Sequence, residues 1–284
     1  MLTGILMIGA GAVAGAFGAL LGLGGGILIV PMLTLGFGLP LREAVGISLV
    51  CVIMTSSAAA GVYLERHVAN LRLGMSLELF TAMGALVGGS IAFLLDDQVL
   101  SLLFAGLLLY VAASMIRGSR REPEPEVVAP VDADAGPPES VTIAGMPASE
   151  EDLAAHLSGP GYRVRRLRLG VVGALFAGVA SALLGIGGGI IKVPLMNLAM
   201  GVPLKVATAT SNMMIGITAS ASAIIYLVRG GIDPYVAAPT AIGVFLGATA
   251  GTRLAHRIDV RILRWLFVVV LAWTAVQMLL RAIG

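Results

Sequence analysis

The sequence is poor in charged residues and nearly free of cysteine. Only 12% of its 284 residues are charged, whereas soluble domains average about 25%, which argues against a soluble globular protein. Cys51 is the only cysteine, so an intramolecular disulfide and a cysteine-based metal site are excluded. The histidines His67, His156 and His256 do not have the spacing of a ligand cluster, and we therefore expect no metal.

Motifs for common enzymatic chemistry are also missing. The chain has no phosphate-binding P-loop, no nucleophile elbow and no pair of catalytic carboxylates. Its glycine-rich stretches read GxGGG rather than GxGxxG and follow no predicted strand, which excludes a dinucleotide fingerprint. We expect no enzyme, no cofactor and no nucleic-acid partner.

Long uncharged apolar runs dominate what is present. No charge occurs from Met1 to Leu41, a run too long for a cleaved signal peptide and without a preceding basic region. Uncharged runs of about 18 residues or more are typical of membrane-spanning helices. The sequence predicts an all-α polytopic membrane protein of about eight segments, with these further runs: Ala44–Leu64, Leu79–Leu95, Val99–Ile116, Leu169–Ile191, Val206–Val228, Pro234–Thr252 and Trp265–Leu280.

The middle of the chain differs in kind. The stretch Arg117–Arg168 holds nine of the sixteen acidic residues and seven of the thirteen prolines. Such a composition cannot bury enough apolar area to offset the entropy of ordering, so we expect a mostly disordered linker. Arginines flank it on both sides, which places it in the cytoplasm by the positive-inside rule. The predicted domains are a first membrane repeat (1–116), the acidic linker (117–164) and a second membrane repeat (165–284).

The two membrane halves are an internal duplication. "LLGLGGGILIVP" begins at Leu20 and "LLGIGGGIIKVP" at Leu183, an offset of 163 residues, and from Ala19 to Ser48 sixteen of thirty positions are identical to their partners. Corresponding glycine- and proline-interrupted segments in two halves indicate broken or re-entrant helices at a transporter's substrate site. A helix that starts after such a break carries partial positive charge and suits an anion.

The relative orientation of the repeats has two alternatives. Basic residues follow the second predicted segment in the first half (Arg66–Arg72) but precede the last one in the second half (Arg253–Arg264). An opposite distribution of positive charge in matching loops favours inverted repeats, each of which crosses the membrane an odd number of times. A parallel arrangement of four plus four segments stays open.

Lys192 is the most informative single residue, because it lies in an apolar segment where the first copy has Ile29. An intramembrane lysine is costly and by default indicates function; snorkelling or pairing with an acid such as Glu78 are the alternatives. Glu78 itself is a candidate for proton coupling, or lies at the headgroup level. The other predicted substrate-binding residues are polar side chains after the motifs and the motif glycines: Ser48, Ser211, Asn212, Gly24, Gly25, Gly26, Gly187, Gly188 and Gly189.

The doubled "GxGGGxxxVP", followed by "LPLREAVGIS" and "VPLKVATATS", resembles the TauE/SafE family of sulfite exporters, also called the toluene-sulfonate uptake permease family. The resemblance covers roughly residues 5–115 and 165–282. It implies a multi-pass carrier of the bacterial inner membrane that moves sulfite, sulfonates or related sulfur-containing anions.

The function that follows is a secondary transporter that works by alternating access between the two repeats. The expected partners are a small anionic substrate and the lipid bilayer, and a homodimer is left open. An anion channel, or a membrane scaffold that recruits a partner through the acidic linker, are the alternatives.

Overall fold

The computed structural model describes residues 2–21, 25–65, 69–118, 154, 157–159, 162–254 and 260–283. Within them the chain forms ten helices, five before and five after the linker. In the first half these are α1 (Leu2–Leu21), α2 (Gly26–Pro31, continued by a π-helical turn Met32–Gly36), α3 (Leu41–Glu65), α4 (Leu71–Ala92) and α5 (Asp97–Gly118). In the second they are α6 (Leu167–Leu184), α7 (Gly189–Pro194, continued by a π-helical turn Leu195–Ala199), α8 (Leu204–Val228), α9 (Pro234–Leu254) and α10 (Val260–Ile283).

Six stretches in the described part are long and apolar enough to cross a membrane. The expected all-α polytopic class is therefore confirmed, whereas about eight crossings stays a prediction. The six are Leu41–Ala58, Leu71–Ala92, Asp97–Ile116, Leu167–Leu184, Leu204–Val228 and Trp265–Ala282.

The glycine motifs end one helix and start another in each half. Gly25 before α2 has φ +74° and Gly188 before α7 has φ +76°, a left-handed conformation that glycine adopts without steric cost. Pro31 and Pro194 end the short helices, and a π-helical turn follows each. Since proline lacks the N–H that a regular helix needs, both copies convert a long apolar segment into a broken one.

Helices from different halves pack against each other at small residues. α1 runs parallel to α9, where a Cβ on Gly11 would lie 2.6 Å from the Thr240 carbonyl oxygen. α4 runs parallel to α6, where a Cβ on Gly88 would lie 2.5 Å from the Val179 carbonyl oxygen. Glycine lets two backbones approach this closely, which is the usual basis of helix association in lipid. Each half is therefore completed by a helix of the other.

The central helices α3 and α8 run antiparallel. Near one end Gly46 approaches Tyr226, and farther along Gly216 approaches Ser56. The guanidinium groups of Arg42, at the start of α3, and Arg229, at the end of α8, lie 5.5 and 5.4 Å from the ring centroid of Phe93. We call this end of the molecule the Phe93 side, and the opposite end, where α4 and α6 begin, the Asn70 side.

Candidate functional site

The two glycine breaks meet in the interior of the molecule. A Cβ on Gly26 would lie 2.5 Å from the Gly185 carbonyl oxygen and 3.2 Å from Ile186 Cα, so backbone lies directly against backbone. The Ser48 hydroxyl, wholly buried on α3, shares its one proton between the carbonyl oxygens of Gly185 (2.8 Å) and Gly26 (3.2 Å). One side chain therefore joins both motifs.

Replacing Ser48 with alanine is expected to lower the free energy of unfolding by about 1–3 kcal/mol, since the hydrogen bond that two buried carbonyl groups share is lost. Thermal unfolding of the detergent-purified variant measures this. Ser57→Ala is the control, because Ser57 lies on the same helix but is exposed, and its hydroxyl donates to the Ile53 carbonyl oxygen within its own helix at 2.8 Å. An equal effect of both variants would contradict a joining role for Ser48.

Lys192 on α7 lies in a buried polar cluster. Its Nζ is 3.0 Å from Glu78 Oε2 on α4 and 2.5 Å from Thr218 Oγ1 on α8. Thr218 Oγ1 also lies 2.6 Å from Glu78 Oε1 and 3.1 Å from the Met214 carbonyl oxygen. Of the alternatives for Lys192, pairing with Glu78 is the one observed, and it draws α4, α7 and α8 together.

Burying this ion pair is energetically demanding. Lys192 and Glu78 are 1% and 3% exposed, and each charge alone would cost several kcal/mol at that depth. Together they are neutral, and Thr218 offers each a hydrogen-bond partner. Because a buried pair adds little net stability over apolar residues of similar volume, its presence calls for an explanation beyond folding.

Two serine hydroxyls beside the second glycine break have no hydrogen-bond partner in the part of the chain that the structure describes. They belong to Ser181 and Ser211, which are 0% and 1% exposed. A Cβ on Gly188 would lie 3.4 Å from both Ser181 Cβ and Lys192 Cε, and a Cβ on Gly189 would lie 3.6 Å from Ser211 Oγ. The two serine side chains therefore flank the break, and Ser181 and the aliphatic end of Lys192 lie against the same glycine.

The structure distributes the sequence-predicted residues over two neighbouring places. Asn212 is buried, and its backbone carbonyl accepts a hydrogen bond from Ser56. Gly24 lies outside the described residues. Gly25, Gly26 and Ser48 lie at the junction of the two motifs, and Gly187, Gly188, Gly189, Lys192, Ser211 and Glu78 lie around the second break.

Two polar residues of this region were not singled out from the sequence. Thr218 is one of several hydroxyls that follow the motif, and only its match to Thr55 at the repeat offset marks it. Ser181 has no such signal, because the first copy has Gly18 at its position.

A narrow cleft of about 50 Å³ lies between α4 and α8 and leads from the Asn70 side toward the ion pair. Its walls include Asn70, Gly74 and Glu78 on α4 and Thr210 and Met214 on α8. Glu78 lies eight residues after Asn70, about 12 Å along the helix. The carboxylate is thus the polar group at the inner end of this cleft.

The end of the predicted linker covers the outer end of the cleft. Asn70 Nδ2 donates to the Leu157 carbonyl oxygen (2.9 Å) and to Tyr162 Oη (2.7 Å). Leu157 and Val164 are buried in an apolar cluster with Leu73. Burial raises the pKa of the Tyr162 phenol, and the hydrogen bond from Asn70 opposes this rise only in part. The raised pKa keeps the phenol neutral near physiological pH. Most of the predicted linker lies outside the described residues.

Known proteins provide an independent comparison. The family model described as "Sulfite exporter TauE/SafE" matches residues 7–278. A "Probable membrane transporter protein YunE" of Bacillus subtilis is 22% identical over 290 residues, covering 98% of both chains. A "Probable membrane transporter protein" of Xylella fastidiosa is 28% identical and covers 89% of this chain and 85% of its own.

A plant relative shares a shorter region. The "Sulfite exporter TauE/SafE family protein 1" of Arabidopsis thaliana is 37% identical over 101 residues, 36% of this chain and 22% of its own. No solved structure matches the chain.

The relatives' names and the helices able to span a membrane agree with the expected multi-pass inner-membrane location. The family match extends over both halves and both glycine motifs, and the chain belongs to the TauE/SafE family of membrane transporters.

Proposed function

We propose that the protein is a secondary carrier of a small sulfur-containing oxyanion, sulfite or an organosulfonate, which binds at the second glycine break. The observation that carries the proposal is the pair of buried hydroxyls of Ser181 and Ser211, without a hydrogen-bond partner among the described residues, at the glycine break that precedes Lys192. Hydroxyl donors and a cation are what a sulfur oxyanion needs when it leaves water. The sulfur chemistry comes from the family, since no residue here specifies it.

The geometry also supports a coupling mechanism. An anion that bonds Lys192 competes with Glu78 for the same ammonium group, which is 3.0 Å from the carboxylate. Two negative charges cannot share one buried cation without a large cost. Glu78 therefore takes up a proton or moves into the cleft toward Asn70 when the substrate binds. This assigns Glu78 the role of the proton-coupling carboxylate.

Alternating access follows from an inverted arrangement of the repeats. The equivalent helices α3 and α8 run antiparallel, as they would if a pseudo-two-fold symmetry axis in the membrane plane related the two repeats. Each half holds four long helices and one broken helix. The breaks meet at Ser48, where a rocking motion of one half against the other would open first one side and then the other. Gly25, Gly26, Ser48 and Asn212 then belong to the moving junction around the substrate.

Uptake into proteoliposomes tests the proposal. Radiolabelled sulfite and taurine are supplied outside, with and without unlabelled substrate inside and with an imposed pH gradient. A carrier gives saturable uptake, stimulated by internal substrate and driven by the proton gradient. Conductance without saturation or counterflow would indicate an anion channel instead. Absence of transport of every sulfur anion tested would overturn the assignment.

Ser211→Ala separates binding from folding. Removing an unpartnered buried hydroxyl is expected to leave the melting temperature unchanged or raise it, since its desolvation cost disappears. The half-saturating substrate concentration is expected to rise about tenfold, as the loss of a hydrogen bond to a charged group predicts. Ser220→Ala is the control, because Ser220 on the same helix donates to the Gly216 carbonyl oxygen at 2.8 Å. Unchanged transport by Ser211→Ala would remove Ser211 from the site.

A further inference from the structure

A second cavity, apolar and far larger than the cleft, lies on the membrane-facing surface where the first half meets the last helix of the second half. It has a volume of about 470 Å³ and is formed by α1, by α2 with its π-helical turn, and by α10. Its lining is almost wholly apolar and includes Val13, Phe17, Met32, Leu35, Phe267 and Trp273. We call it the α1–α10 groove.

The groove opens toward the bilayer. Val13 is 60% exposed and Trp273 is 58% exposed, and both lie in apolar helices where exposure means contact with lipid. In the second half, α6 and the π-helical turn after α7, the equivalents of two of these elements, are in close contact, since a Cβ on Gly173 would lie 2.5 Å from Leu195 Cδ1. The groove is therefore not a necessary product of the repeated sequence.

A cation lies beyond the Phe93-side end of the groove. Arg281 Nη1 donates to the carbonyl oxygen of Thr34 at 3.1 Å, and Thr34 precedes the lining residue Leu35. Among the described residues no carboxylate forms an ion pair with Arg281. A guanidinium group has five N–H donors in a geometry that suits phosphate, so most of its donors are available to a ligand.

The dimensions fit one leaflet of a membrane. Arg281 and Phe267 are fourteen residues apart on α10, about 21 Å along the helix. Half of a bilayer, counted with its headgroup region, is about 20–22 Å thick. A molecule with its phosphate at Arg281 would run along the groove to the middle of the membrane.

We propose that the α1–α10 groove is a binding site for an anionic phospholipid, with the phosphate at Arg281 and an acyl chain along Trp273. The charge at the end of the groove distinguishes this occupant from a second copy of the chain, which would need no phosphate-binding group there. The lipid would brace α10 against α2 and so hold the first broken helix.

Tryptophan quenching tests the site directly. The chain has two tryptophans, so Trp265→Phe leaves Trp273 as the only reporter. The variant is reconstituted into phosphatidylcholine vesicles with increasing fractions of dibrominated phosphatidylglycerol, or of dibrominated phosphatidylcholine. We expect half-maximal quenching at a several-fold lower fraction of the anionic lipid. Arg281→Gln is expected to abolish that preference, and Arg229→Gln, on the same side of the molecule, to retain it.

Other outcomes overturn the proposal. Equal quenching by both lipids would reduce the groove to ordinary lipid contact, and absence of quenching by either would indicate that a second copy covers Trp273. Ala10→Phe provides a test that leaves Arg281 in place, since it fills the groove from α1. Retention of the preference for phosphatidylglycerol in this variant would place the anionic lipid elsewhere.

Discussion

Replacing Lys192 with methionine alone is expected to lower the free energy of unfolding by about 3–5 kcal/mol, because the Glu78 carboxylate then stays buried without its counter-ion. Glu78→Gln alone is also expected to lower the free energy of unfolding, since it leaves the buried Lys192 ammonium group without its counter-ion. The double variant Lys192→Met/Glu78→Gln is expected to regain most of the loss, because a neutral pair of similar volume carries no desolvation cost. Thermal unfolding in detergent measures all three.

Transport by the double variant is expected to be absent although its stability returns. This combination separates the role of the ion pair in folding from its role in moving an anion. Lys205→Met is the matched control, because Lys205 is the only other lysine and is exposed at the start of α8, where substitutions change stability by about 0.5 kcal/mol or less. A stable double variant that transports at the wild-type rate would make the pair structural and would refute the proposed site.

Replacing Gly187 with alanine is expected to lower the free energy of unfolding by about 2–5 kcal/mol. Backbone strain accounts for about 1–2 kcal/mol of this and overpacking for about 1–3 kcal/mol. Gly187 has φ +74°, and its added Cβ would lie 2.6 Å from Ile215 Cγ2 and 2.8 Å from Val52 Cγ1. Those side chains belong to α8 and α3, so the clash separates the break from both central helices. The melting temperature and the uptake rate are both expected to fall.

Gly230→Ala is the control for this variant. Gly230 has φ +71° but no atom within 4 Å of the position its Cβ would take, so only the strain remains. The free energy of unfolding of Gly230→Ala is therefore expected to fall by only about 1–2 kcal/mol. Equal losses in the two variants would mean that the second break is loosely packed against Val52 and Ile215, contrary to the site's geometry.

Repetition made part of this site predictable. A motif that recurs at a constant offset indicated the glycine breaks and the matching pair Ser48 and Ser211. Lys192 stood out because the first repeat has an isoleucine at the corresponding position. The partner of Lys192 could be suggested but not fixed, because the second-half equivalent of Glu78 is Ala241. Ser181 has no counterpart in the first half and therefore gave no signal.

The packing of the helices could not be predicted in the same way. In lipid both the buried and the exposed faces of a helix are apolar, so hydrophobic periodicity does not identify the face that meets a neighbour. On α4, for example, exposed Leu79 and buried Leu77 are the same residue type. The contacts of α1 with α9 and of α4 with α6 depend on small residues, which occur on many faces of this glycine-rich chain.

The crossed packing of the halves has a consequence for biogenesis. Gly15 on α1 meets its neighbour Val244 only after more than 220 further residues have been made, which at roughly 5–20 residues per second takes on the order of ten seconds or more. During that interval the glycine-lined face of α1 lies in the membrane without its partner, and a ribosome that stops in the linker releases a half that lacks it. The order of synthesis, as well as the sequence, therefore enters the yield of folded protein.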